Sequence, residues 1–269
     1  MEKFVRNEKG QAVPTKVLPV SAEAFAPMEH TEITWLGSAG VLVNTRGTVL
    51  LMDPLLMGFD MPLLFEIPLK AEDIPRVDAY LVTHVDGDHY SRETCAALGP
   101  VCGGFHTTQY VAGEMQKAGI PGVGHPIGGK FTVGSAEITL TPVEHMWQTG
   151  LPEFAFRTWK AEDCCGFWLD TPDGSVWMPG DSKLLESHLY MPDPDVILFD
   201  FSDNEWHITL EGAVRLANAY PRARLLCIHW GTVDAPEMDP FCGDPADLYG
   251  RVTNPERIRV LWPGEKLVL

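Results

Sequence analysis

Val77-Asp-Ala-Tyr-Leu-Val82 runs directly into Thr83-His84-Val85-Asp86-Gly87-Asp88-His89. The first six residues are mostly apolar and read as a buried strand. The next stretch sets two imidazoles and two carboxylates on the loop leaving that strand's C-terminal end. Ligand sites of α/β sheets gather at that end. Gly87 is expected to let the loop bend. Four such groups beside a buried strand are costly unless paired or bound to a metal. The loop therefore reads as a source of metal ligands. A solvated turn is the alternative.

Three more apolar runs end in the same way. His145 follows Ile138–Val143, Asp181 follows Val176–Met178 through Pro179-Gly180, and His229 follows Leu225–Ile228. Each alone reads more readily as structural. With His84, Asp86, Asp88 and His89 they make seven N and O donors. That number suits two divalent cations, each with an open position. His207, just before a helix capped by Thr209, reads either as a proton donor at the mouth or as a packed histidine. His30, His106, His125 and His188 read as surface or packing residues. His106 stays a candidate because it is expected to open a helix. Trp147 and Trp230 read as pocket walls or core, and Lys183 as an anion contact or a solvated helix residue.

Outward from these positions, strands are expected at 32–36, 41–43, 48–52, 100–104, 196–199, 224–228, 258–261 and 267–269. Hairpins are expected over 131–142 and around Thr171-Pro-Asp-Gly174, with Asn44-Thr-Arg-Gly47 as a further hairpin loop. Helices are expected over 91–98, 107–118, 181–190 and 209–219. Residues 55–70 read as a loop or lid, with a core segment as the alternative. Residues 1–30 carry Pro14, Pro19 and Pro27 and read as an arm packed on the body. Residues 31–269 then form a single domain with sheets inside and helices outside.

The chain has 269 residues, 45% of them hydrophobic and 21% charged, which is ordinary globular composition. It carries 20 Lys and Arg against 37 Asp and Glu, a net charge of −17. That charge argues against nucleic acid and anionic membranes as main partners, and leaves a small-molecule substrate. The longest apolar stretch, 48–65, is broken by Asp53, Pro54, Asp60 and Pro62 and cannot span a bilayer. The start of the chain is polar with no apolar signal core, and none of the six cysteines forms a CxxC pair. Reduced thiols and a cytoplasmic location are the expectation.

The ordered donor set resembles that of metallo-β-lactamase superfamily hydrolases: an HxHxDH-like loop, a His, a Gly-Asp and a late His, spanning 31–269. Ile33–Pro54 (ITWLGSAGVLVNTRGTVLLMDP) resembles the opening hairpin of the L-ascorbate-6-phosphate lactonase-like branch. So do His207–Ala217 (HITLEGAVRLA), Cys227–Thr232 (CIHWGT) and the closing Pro263–Leu269 (PGEKLVL). The resemblance implies an α/β (α+β) fold, a four-layer αββα sandwich with the metals at one edge. It implies that His84 and His145 hold the first metal. Asp88, His89 and His229 would hold the second, with Asp181 bridging and Asp53 orienting the ligand loop. It is compatible with a homo-oligomer.

Asp86 departs from the pattern, where the family usually has His. As a ligand, it moves the preference from Zn²⁺ toward Mn²⁺ or Fe²⁺. Diiron flavoproteins of the superfamily also carry a carboxylate there, but no flavin module follows here. The expected chemistry is attack by a metal-bound hydroxide on a small-molecule ester, lactone or phosphoester. Asp88 would orient the nucleophile, and His207 would donate a proton or contact substrate. The alternatives are a diiron redox or oxygen-chemistry protein and a non-catalytic binding protein.

Overall fold

A computed structural model describes residues 3–269; residues 1 and 2 of the expected arm lie outside the described residues. Phe4–Arg6 (β1) and Ala12–Pro14 (β2) pair antiparallel, and the Phe4 ring meets Trp230 edge-on at 5.7 Å. The first half of the body supplies Thr31–Gly37 (β3), Gly40–Thr45 (β4), Thr48–Met52 (β5), Ala79–Leu81 (β6), Phe105–Thr108 (β7) and Gly122–His125 (β8). The second half supplies Lys130–Val133 (β9), Ala136–Thr141 (β10), Gly166–Thr171 (β11), Gly174–Met178 (β12), Val196–Phe199 (β13), Arg224–Cys227 (β14) and Ile258–Arg259 (β15). Lys266–Val268 (β16) returns to the first sheet, beside β3. The two sheets therefore run β16-β3-β4-β5-β6-β7-β8 and β15-β14-β13-β12-β11-β10-β9.

Alternation assigns each face. Ile33, Trp35, Val41, Val43, Leu50, Met52, Ala79 and Leu81 pack with the second sheet in one central core. Their neighbours Leu36, Leu42, Val49, Leu51, Tyr80 and Val82 face the opposite way. There they pack against Arg92–Leu98 (α1) and Gln109–Lys117 (α2). Side chains two apart share a face of a strand, so one strand serves two cores. Leu210–Ala219 (α3) buries Ala213, Leu216 and Ala217 in the larger core. The result is the four-layer αββα sandwich. Ser91, Thr108 and Thr209 cap the three helices, each accepting from a backbone N–H three residues on.

Three expectations fail locally. Residues 181–190 form no α-helix; only Glu186–Tyr190 make a 3-10 turn. Lys183 N bonds sideways to the Glu144 carbonyl at 3.0 Å, and Ser182 Oγ accepts from Glu144 N at 2.9 Å. These bonds replace the i to i−4 ladder. Residues 100–104 form no strand: Gly99–Val101 is a 3-10 turn, and pairing to β6 begins at Phe105. His106 consequently lies inside β7 and opens no helix. No helix among the described residues is long and apolar enough to cross a membrane.

The open edges of the two sheets meet at a ring stack. His106 and His125 stack on Phe131 at 4.5 and 4.1 Å, with His106 Nδ1 3.0 Å from His125 Nε2. Burial, helped by His125, lowers the His106 pKa from 6.5 to about 4. The unfolded chain then binds the extra proton between those values, so this stability is full above pH 6.5 and drains as pH falls toward 4. His106→Phe should accordingly flatten the loss of stability across that window, read from denaturant midpoints at several pH values. Equal slopes for both proteins would refute the assignment.

Candidate metal centre

Strand ends deliver the donors, and each imidazole is fixed through Nδ1. Asp53 follows β5, is fully buried, and holds a left-handed φ of 42°. Its Oδ1 accepts Thr83 N at 2.8 Å, and its Oδ2 accepts Thr83 Oγ1 at 2.6 Å and His89 Nδ1 at 2.8 Å. The Thr83 hydroxyl has thus spent its proton, so it accepts from His84 Nδ1 at 2.9 Å. His145 Nδ1 donates to the Trp206 carbonyl at 2.8 Å, and His229 Nδ1 to the Pro240 carbonyl at 3.1 Å. All four rings therefore turn Nε2 inward, as second partners of metal-binding histidines require. His229 also has a left-handed φ of 61°, held by its N–H on Ser38 O at 2.8 Å.

The donors gather in two sets. Asp86 Oδ2 lies 3.3 Å from His84 Nε2 and 3.4 Å from His145 Nε2. Asp88 Oδ2 lies 3.3 Å from His89 Nε2 and 3.2 Å from His229 Nε2, and those two nitrogens are 3.3 Å apart. Asp181 Oδ2 reaches both sets, at 3.1 Å from His89, 3.4 Å from His229 and 4.0 Å from His84. All seven expected ligands come together. Donors about 2.0–2.2 Å from one ion stand roughly 3.0–3.5 Å from each other. His84 Nε2 is buried with no hydrogen-bond partner. An orphaned imidazole nitrogen facing carboxylates is what a divalent cation would satisfy. The residues fit two metals.

Electrostatics point the same way. Burial would raise the carboxyls of Asp86, Asp88 and Asp181, yet the surrounding imidazoles hold all three well below the usual range. Burial would lower His89, His145 and His229, yet the carboxylates raise them, His229 to about 10. The carboxylates thus favour positive charge in the centre, which a divalent cation would supply.

Other expectations resolve individually. Asp86 also accepts Trp147 Nε1 on Oδ2 at 2.7 Å and Gln148 Nε2 on Oδ1 at 3.2 Å, so both of its oxygens are held. His207 faces the cavity, with Nε2 3.7 Å from Asp181. Its Nδ1 donates to Asp200 Oδ2 at 2.9 Å. Asp200 was not singled out from the sequence. The available signal was a carboxylate directly after the apolar run Val196–Phe199. Trp147 and Trp206 line the cavity, whereas Trp230 is core, stacked on Trp35 at 5.3 Å. Lys183 sits on the Trp206 ring at 4.4 Å and is no cavity residue. Residues 55–70 form a loop that contributes Phe59 and Met61 to the cavity wall. Gly87 lines the cavity without a left-handed φ; the Phe59 ring, 3.8 Å from where its Cβ would stand, is the nearest contact.

Residues 48–230 match the family described as the beta-lactamase superfamily domain. The chain belongs to that family. Among curated relatives of this superfamily protein, a UPF0173 metal-dependent hydrolase of Anaeromyxobacter sp. (strain K) is 29% identical, covering 91% of this chain and 89% of its own. Among solved structures, a possible metal-dependent hydrolase from Veillonella parvula aligns with a TM-score of 0.73 at 20% identity, covering 90% of this chain and all of its own (100%). A metallo hydrolase from Ignicoccus hospitalis aligns at 0.68 with 19% identity, covering 90% and 99%. These structures support the sandwich fold of the superfamily protein.

Two substitutions probe the centre. Asp86→His replaces a hard oxygen donor by imidazole, so metal-reconstituted protein should shift its elemental content from manganese or iron toward zinc. An unchanged profile means Asp86 does not ligate. Asp53→Asn removes the carboxylate that orients His89, and metal affinity should fall about 10–100-fold in chelator competition.

Proposed function

We propose that the protein is a two-metal hydrolase that cleaves an ester, lactone or phosphoester bond of a small molecule. At the coarser level, it is a metal-dependent hydrolase of the β-lactamase superfamily. The observation that carries the reading is the pair of donor sets, His84, Asp86 and His145 and then Asp88, His89 and His229, with Asp181 grouped with one imidazole of each, His84 and His89, beneath a cavity of about 360 Å³. Two divalent ions, when bound, supply Lewis acidity and acidify a water molecule.

The chain's own residues do the rest. His84, Asp86 and His145 would hold one ion, and Asp88, His89 and His229 the other, with Asp181 between them. Asp88 lines the cavity and is placed to orient the attacking water as well as to ligate. Asp200 fixes His207 through Nδ1, itself anchored by Ser202 N at 3.0 Å and Ser202 Oγ at 2.8 Å. His207 Nε2 is thereby aimed into the cavity, where it can protonate a leaving oxygen. All six cysteines are unpaired, four of them buried, which suits a reducing cytoplasm.

Asp86 also favours a second reading, a diiron redox centre, because a carboxylate in the first set suits iron. Oxygen uptake by iron-loaded protein without hydrolysis would select it.

Asp181→Asn should lower metal content below two ions per chain and abolish hydrolysis while the circular dichroism spectrum stays native. Normal turnover by that variant would defeat the dinuclear reading. His207→Gln should keep its metal and lose about 10²–10⁴ in kcat. A lower metal content in that variant would make His207 a ligand instead.

A further inference from the structure

The walls of the cavity differ from its floor. Asp86, Asp88, Asp181 and the imidazoles make the floor, whereas, apart from the neutral Asn204 amide, the walls are apolar or aromatic: Phe59, Met61, Trp147, Trp206, Met238 and Phe241. Among the described residues, no Lys or Arg lines this cavity. Lys183, two residues after Asp181, is taken up by the Trp206 ring and by Glu144 at 3.8 Å.

The walls are held in place. Trp147 is tied through its indole N–H to Asp86 and meets Phe154 edge-on at 4.9 Å. Phe241 stacks on the His229 ring at 5.8 Å. Phe59 and Met61 pack with Val233, Ala235 and Phe241. Their strap is pinned by Leu64 N on Thr232 O at 2.8 Å and Asp234 N on Pro62 O at 2.9 Å.

We propose that the substrate is a small, neutral, apolar molecule, an aryl or alkyl ester or lactone, and carries no phosphate or carboxylate arm. This rests on the hydrolase reading of the same site. An anionic arm lying on the walls, away from the floor, would lose its water against aromatic rings with no Lys or Arg beside it. A protein of net charge −17 adds a repelling field. An apolar arm gains from every square ångström it buries there. The volume, about 360 Å³, lies at the small end of ligand pockets, roughly 300–1,000 Å³. A single ring with short substituents is the scale it accepts.

The test compares two esters with one scissile bond, 4-methylphenyl acetate and 4-sulfophenyl acetate, on manganese-loaded protein. Each kcat/KM is divided by the ester's rate with hydroxide. The neutral ester should be preferred by about 100-fold, the scale of a charge left unpaired on binding. Met238→Lys places a cation in the wall and should cut the preference to below about tenfold. Calorimetry of 4-methylphenol against 4-hydroxybenzenesulfonate reads the walls without turnover, and only the neutral phenol should bind. Equal or better use of the sulfonate, or tighter binding of the sulfonated phenol, overturns the proposal. A preference unmoved by Met238→Lys overturns it as well, because the walls would then not be its cause. If neither ester is hydrolysed but the neutral phenol binds selectively, the hydrolase reading fails and the apolar pocket stands.

Discussion

The Asp53 carboxylate, with no solvent exposure, holds the loop on which the centre is built. It takes the Thr83 amide, the Thr83 hydroxyl and the His89 ring at once. Through Thr83 its influence passes to His84. A buried carboxylate is costly alone, so the fold has reason to complete all three bonds. One anion thereby sets the orientation of an imidazole in each donor set. The left-handed backbone at Asp53 is the accompanying strain, stored where strand β5 must turn its side chain toward β6.

The two sheets contribute unequally to the centre. β6 of the first sheet leads into the loop with four of the donors. The other three follow β10, β12 and β14 of the second sheet. The centre therefore sits where both sheets end along one edge of the sandwich, and the central core of Trp35, Trp177 and Trp230 fixes their spacing. Metals bound there would join the two sheets and so would clasp the fold.

Much of the architecture was legible because strand ends and apolar runs are local signals. β13 was expected at 196–199 and lies there, and α3 begins one residue after its Thr209 cap. The candidate donors were legible as a set, because one loop gathers four of them after a buried strand, whereas His145, Asp181 and His229 singly read more readily as structural. The 181–190 segment misled because its composition permits a helix, while Ser182 and Lys183 are claimed by Glu144, distant in sequence. Trp230, read as pocket wall or core, takes the core position. The backbone at His229, just past the end of β14, is left-handed, and there the His229 ring faces the donors while Trp230 stacks on Trp35.

By itself, the sequence placed most strands and offered seven candidate donors, because side-chain period and residue chemistry are written position by position; the four-layer arrangement was implied only by the family resemblance. Only the tertiary structure decided which nitrogen of each imidazole faces the centre, since that follows from what each Nδ1 meets: Thr83, Asp53, the Trp206 carbonyl or the Pro240 carbonyl. It also decided that Asp200 stands behind His207 and that the 55–70 strap walls the cavity. These are contacts between segments far apart in the chain. Their geometry is set by the packing of two sheets, which no local pattern encodes.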